Sequence, residues 1–187
     1  MKIKTVAWLI LGGAIWLLPC LSALSSPSPK YDIYFKTSFA KWMPGHNWHW
    51  LKAQCWQESR FKRFAVSPVG ASGICQFMPG TWTEAQDKLN TNYSVFNIRA
   101  NIEAAAWYDR KMYHFWTAER PQLDKYKFML AGYNAGPGNM LKAQKKCNGA
   151  NGYYQVICCL PAITGHHATE TINYVERIIG FKADLEF

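Results

Sequence analysis

Apolar residues recur at helical spacing along most of the chain, and Gly- and Pro-bearing breaks separate the stretches. Trp48, Leu51, Cys55 and Glu58 follow one another at three- and four-residue steps, so they share one helix face. Pro44-Gly45 interrupts the chain ahead of that helix, and the Asn47 side chain is suited to capping it. A second helix is expected over residues 79–89, with Trp82 and Ala85 inward. Residues 97–116 carry the strongest helical stripe, formed by Ile98, Ile102, Ala105, Met112 and Trp116. Residues 123–134 continue the pattern until Gly136-Pro137-Gly138 stops it. A short helix over 139–146, a polar loop over 148–152 and a last helix from about Thr169 follow, the last with Ile172, Val175 and Ile179 inward. Strand patterning is confined to residues 153–157. The expected fold class is mainly α, with long loops between the helices.

The first residues read differently. Lys2 and Lys4 precede an almost wholly apolar run over 6–18, and Ala23-Leu24-Ser25 places small residues where a signal peptidase cuts. The rival is an uncleaved anchor, since the run can be drawn to about the ~20 residues that span a bilayer. Either way the domain is exported, to the periplasm or another part of the cell envelope, and any membrane attachment is through this segment. Residues 1–25 are therefore set apart as signal peptide or anchor. Residues 26–46 form a Ser/Pro linker and an aromatic lead-in, and 47–187 form one domain with one sizeable core.

Composition narrows the partners. The formal net charge is +9, with Lys and Arg scattered in short clusters, so the surface attracts polyanions. No spacing that reads a nucleic-acid groove accompanies that charge, which favours an anionic cell wall over nucleic acid. Nine Trp residues can stack on sugar faces, although most large apolar side chains fill cores. Export lets Cys55, Cys75, Cys147, Cys158 and Cys159 form disulfides, and an odd number leaves one thiol over. Cys147 with Cys158 or Cys159 is the expected pairing, because these flank the 148–152 loop. A zinc site built from the same three cysteines with His166 and His167 lacks a Cys-x2-Cys unit and relies on adjacent pairs, which makes tetrahedral ligation awkward. No metal and no cofactor are expected.

Glu58 is the residue with chemistry. Its helical register turns it inward, and both desolvation and the C-terminal end of a helix dipole disfavour its charge, while Arg60, Lys62 and Arg63 pull the other way and leave the net shift open. A raised pKa is what a general acid needs near neutral pH. A typical glycosidase sets a second carboxylate across the bond. Glu84, Asp87, Asp109, Glu119, Asp124 and Glu176 fit solvated helix faces, and Glu103 less clearly so. Glu170 opens the last helix beside Tyr174, where it is either a favourable first-turn charge or a functional group. One acid suffices if the substrate brings its own nucleophile, as N-acetylmuramic acid can through its acetamido group and C6 hydroxyl.

Four blocks in order carry a resemblance. They are Glu58-Ser59-x-Phe61 with the loop Ala65-x-Ser67-Pro68-x-Gly70-Ala71-x-Gly73-x-x-Gln76-x-Met78-Pro79; Asn97-Ile98; Gly132-Tyr133-Asn134-Ala135-Gly136; and Glu170-Thr171-x-x-Tyr174-Val175. Together they resemble the soluble lytic transglycosylase family of peptidoglycan-cleaving enzymes. The resemblance implies a lysozyme-like fold whose substrate groove is formed by loops between helices. It implies cleavage of the MurNAc–GlcNAc bond by Glu58 as single acid/base, leaving 1,6-anhydro ends. It further implies that Ser59, Gln76, Met78, Tyr133 and Asn134 line the groove, and that Tyr174 and Glu170 help hold the catalytic region. Cys75 departs from the apolar residue usual before the glutamine; it either fills that space as a thiol or pairs with Cys55. Gly132 replaces the usual Ala.

Two other readings stand beside this one. A goose-type lysozyme-like hydrolase would use water in place of the C6 hydroxyl. A wall-binding assembly module would serve a secretion, conjugation or phage apparatus with little catalysis of its own, and the transglycosylase itself could be an accessory to such a machine.

Overall fold

The computed structural model describes residues 28–186. The apolar segment, and with it the choice between signal peptide and anchor, lies outside them. The chain runs through α1 (Asp32–Trp42), α2 (His49–Ser59), α3 (Pro79–Leu89), α4 (Ile98–Phe115), α5 (Gln122–Ala135), α6 (Pro137–Lys146), α7 (Tyr153–Ile157), α8 (Pro161–Thr164) and α9 (His167–Asp184). Among the described residues the only β pairing is two isolated antiparallel bridges, Val66 with Ser72 and Ser72 with Phe77, inside the loop after α2. The mainly α expectation holds.

The helix ends lie where local chemistry puts them. Asn47 Oδ1 accepts the His49 N–H at 2.9 Å, ahead of α2. Pro79 opens α3, where its missing N–H has no helical partner to lose. Asn97 caps α4 by accepting the Ala100 N–H at 3.0 Å. The stripe on α4 is buried at Ile102, Ala105, Met112 and Trp116.

Three expectations change. Residues 32–42, read as part of a lead-in, form α1 and belong to the core. Phe35 and Phe39 are fully buried, and Lys52 of α2, also buried, pairs with Asp32 at 2.6 Å. The domain therefore begins before residue 47, and the four-residue spacing of Tyr31, Phe35, Phe39 and Met43 was the signal. Residues 153–157 are helical: Gln155 Oε1 accepts the Gly152 N–H, and Tyr153, Val156 and Ile157 turn one face to the core. Packing there overrides the β-propensity of the side chains. On α9 the buried face is Ala168, Thr171, Tyr174, Val175 and Ile178, while Ile172 and Ile179 are only half-buried. Small and polar residues share that face, which hid its phase.

At the centre lies α2, packed against α1, α4 and α9. Residues 50–55 are all buried, polar Lys52 and Gln54 included. A disulfide joins Cys55 to Cys75 across a sequence separation of 20, tying α2 to the loop that follows it. Cross-linking over that distance is worth about 3 kcal/mol in the chain-entropy account. A second disulfide joins Cys147 to Cys159, and Cys158 stays free and exposed.

The loop over residues 60–78 is held as tightly as the helices. Asn101 Oδ1 accepts the Cys75 N–H at 2.9 Å while its Nδ2 donates to Val95 O at 2.8 Å. Gly73, at φ +84°, passes so close that a Cβ would lie 2.5 Å from both Asn101 Nδ2 and Val95 O. Replacing Gly73 by Ala is expected to cost about 3 kcal/mol or more, through positive φ and backbone collision together. Urea unfolding checks this; an unchanged midpoint would show that the clamp is loose.

Candidate active site

A cavity of about 590 Å³ opens between the end of α2, the 60–78 loop, the end of α5 and the start of α9. Of the residues the sequence singled out, Glu58, Gln76, Met78, Tyr133, Asn134, Glu170 and Tyr174 line it together. Ser59 does not. It is buried on the other side of the helix end, and its Oγ donates to Ile74 O at 2.7 Å. Ser59 is turned away from the cavity by that bond, while Glu58 faces it. The Ser59 bond anchors the loop.

The Glu58 carboxyl sits in the last turn of α2. Tyr174, from the middle of α9, donates its hydroxyl to Glu58 Oε1 at 2.6 Å. That leaves Oε2 for a ligand. Burial pushes the Glu58 carboxyl up from near 4.5 to about 8; the Tyr174 hydrogen bond opposes the shift, and the Glu170 charge adds to it. The group is therefore predominantly protonated at neutral pH. It can give a proton and then accept one from a reacting hydroxyl.

The other lining groups are held through one end each. Gln76 occupies a left-handed backbone position, φ 54°, and its Nε2 donates to Gly73 O at 2.8 Å and Ala65 O at 3.2 Å. Its carbonyl oxygen remains as an acceptor. Asn134 Oδ1 accepts the Thr171 hydroxyl at 2.7 Å, which leaves the Asn134 amide N–H groups as donors. The Tyr133 hydroxyl donates to Cys75 O at 2.8 Å, and burial raises its pKa well above the usual tyrosine range. Tyr133 thus serves as a wall that braces the loop. Met78 is 44% exposed, an apolar surface open to a ligand. Glu170 stands exposed at the rim.

Sequence reasoning missed part of this site. Gln57, Val69, Asn173 and Arg177 also line the cavity. Gln57 precedes the glutamate, and Asn173 and Arg177 lie four residues apart on α9, so the helical register of α9 could have found them. Asp109 is the larger miss. Placed by sequence on a solvated face of α4, it is fully buried and accepts from Gln54 Nε2 at 3.0 Å. Burial holds its carboxyl well above the usual range; the Gln54 hydrogen bond opposes this, and the Glu58 charge adds to it. Asp109 does not line the cavity. It is buried where Gln54, one turn before Glu58 on α2, reaches it. The period of α4 alone could not show it, because the helix is buried on more than one face.

The arrangement is one protonated carboxyl in a polar, partly aromatic cleft. Three sulfurs, those of Cys147, Cys158 and Cys159, come within 4.8 Å of one another, but two of them are joined as a disulfide, so the group offers no three-thiolate site. None of the three lines the cleft.

Comparison with known proteins places this geometry. Residues 36–156 match the family model described as the transglycosylase SLT domain. The membrane-bound lytic murein transglycosylase F of Serratia proteamaculans is 30% identical over 125 residues, which is 67% of this chain and 24% of that protein. The 70 kDa soluble lytic transglycosylase of Escherichia coli superimposes with a TM-score of 0.62 at 26% identity, over 79% of this chain and 23% of that one. The lytic transglycosylase Slt of Pseudomonas aeruginosa superimposes with a TM-score of 0.66 at 23% identity, over 83% and 24%. This chain thus spans about a quarter of the length of these relatives.

A raised carboxyl pKa has a consequence for stability. The folded-state value lies above the unfolded one, so the contribution of Glu58 is fully present below about pH 4.5 and is lost as pH rises towards 8. Replacing Glu58 by Gln should leave stability at pH 4 unchanged and raise it at neutral pH by about 2 kcal/mol, a figure discounted for the partly open site. Denaturant unfolding of both proteins across that range is the check. A gap that does not grow with pH means the carboxyl is ordinary.

Proposed function

Because the chain belongs to the SLT transglycosylase family, we propose that it cleaves the MurNAc–GlcNAc bond of peptidoglycan without water. Glu58 protonates the glycosidic oxygen as the bond from C1 breaks. The carboxylate so formed takes the proton of the C6 hydroxyl of the same MurNAc, and that oxygen bonds to C1, giving the 1,6-anhydro end. The proton count closes with Glu58 protonated again, so one acid/base serves both halves.

The observation that carries this reading is the Glu58 carboxyl itself. It lines the cleft, Tyr174 orients it at 2.6 Å, and its pKa is about 8. Glu170, the other carboxylate lining the cleft, is at the exposed rim, and Asp109 is sealed behind the wall. Uncharged hydrogen-bonding groups from Gln76 and Asn134, with the exposed Met78, suit a polysaccharide chain. Export to the envelope and service to a wall-spanning secretion, conjugation or phage apparatus belong to the same proposal. The apolar N-terminal run supports export, and the net charge of +9 suits an anionic wall.

Mass spectrometry of soluble products from purified peptidoglycan tests it. The wild-type chain should release anhydro-muropeptides, and Glu58→Gln should lower the rate by about 10²-fold or more, because the amide cannot act as acid. Reducing ends would make the protein a hydrolase. Wild-type rates in the variant would move the acid elsewhere, and no products from either would favour a wall-binding module.

A further inference from the structure

Three sulfurs meet where two helices end. Cys147 follows directly on α6, and Cys158 and Cys159 follow on α7. Their sulfur atoms lie within 4.8 Å of one another. Cys147 and Cys159 are joined, and Cys158 is the free cysteine among the described residues. None of the groups of the proposed reaction belongs to this cluster.

A free thiol beside a disulfide has a chemistry of its own. A thiolate attacks one sulfur of a disulfide and expels the other sulfur as a thiolate. Cys158 Sγ stands 3.9 Å from Cys147 Sγ. A bonded pair lies at about 2.0 Å, so rotation of two short side chains has only about 2 Å to close. One carbonyl gathers both sulfurs: Gln155 O accepts the Cys158 thiol at 3.0 Å and lies 2.8 Å from Cys147 Sγ. Attack on the neighbouring Cys159 sulfur is disfavoured. The chain holds no cis peptide among the described residues, and Cα atoms across a trans peptide are about 3.8 Å apart, below the roughly 4.4 Å at which ordinary disulfides begin. The two remaining pairings, Cys147 with Cys158 and Cys147 with Cys159, span sequence separations of 11 and 12, so loop closure does not choose between them.

We propose that the disulfide migrates between Cys147–Cys159 and Cys147–Cys158, a switch that moves the free thiol between an exposed and a half-buried position. In the forward step the Cys158 thiol gives its proton to solvent, and its sulfur bonds to Cys147 Sγ. The Cys147–Cys159 bond breaks, and Cys159 leaves as a thiolate that takes a proton from solvent. One disulfide and one thiol stand on each side, so no oxidant or reductant is consumed. Cys158 is exposed, whereas Cys159 is half-buried and packed against the core. An outside disulfide therefore meets an accessible thiol in one state and a shielded one in the other. The loop after α6 stays closed by a cross-link in both.

The test uses the full wild-type chain in detergent, purified without reductant. N-ethylmaleimide caps the free thiol, the chain is digested with pepsin in acid, and mass spectrometry reads which cysteine is capped and which pair is joined. At high reagent concentration capping outruns exchange, and the label should be split between Cys158 and Cys159. At low concentration exchange outruns capping, and the label should drain to the exposed Cys158, the Cys159 share falling about threefold or more. The Cys159→Ser chain should form Cys147–Cys158 and melt close to the Cys158→Ser chain. Label on Cys158 alone at every concentration overturns the proposal, as does Cys158 found joined to Cys20. A split that reagent concentration leaves unchanged means two fixed forms and also overturns it. So do free thiols at both Cys147 and Cys158 in a folded Cys159→Ser chain; if that variant does not fold, the wild-type labelling decides.

Discussion

Burial of α2 with its polar side chains in place is the constraint on which the rest of the structure depends. A polar group taken out of water without a partner costs several times what a typical hydrogen bond contributes, so the partners of these side chains matter, although Gln54 Oε1 and Gln57 Oε1 have none among the described residues. Every neighbour of α2 supplies one partner. Asp32 of α1 meets Lys52, Asp109 of α4 meets Gln54, the loop carbonyl of Ile74 meets Ser59, and Tyr174 of α9 meets Glu58. The disulfide from Cys55 adds a covalent tie to the same loop. These contacts fix three helices and a loop around one helix, and the cleft is the space they leave at its end.

The same constraint sets the chemistry. Buried Lys52 is met by the Asp32 carboxylate at 2.6 Å. Glu58 has only a hydroxyl donor, which cannot offset the loss of water, and its carboxyl rises to about 8. Asp109, fully buried and met by an amide, has its carboxyl raised as well. The stability forgone by burying Glu58 is the kind of cost that proteins carry at functional sites.

Much of the site and most of the helices were legible in the sequence because their signals are local. The spacing Trp48, Leu51, Cys55, Glu58 turned the acid inward, Pro79 and Asn97 marked helix starts, and the four motif blocks named the side chains around the cleft. The misses share a cause. Ser59 sits beside the acid in sequence but faces away, bonded to the Ile74 carbonyl of the loop. Asp109 lies on a helix that buries several faces, so one stripe could not reveal its environment. Residues 153–157 have strand-like side chains, yet a cap at Gly152 and a buried face make them helical.

What the sequence determined by itself is everything that depends on near neighbours along the chain. That includes the helical class, most helix ends, the glycines that let the 60–78 loop turn, and the glutamate at the end of α2. Tertiary structure decided which polar groups lose their water and what replaces it. It brought Tyr174 across 116 positions to Glu58, buried Asp109 where Gln54 reaches it, chose Cys159 over Cys158 as the partner of Cys147, and joined α1 to the core. Desolvation and pairing across long separations are properties of packed neighbours, and no window of sequence contains them.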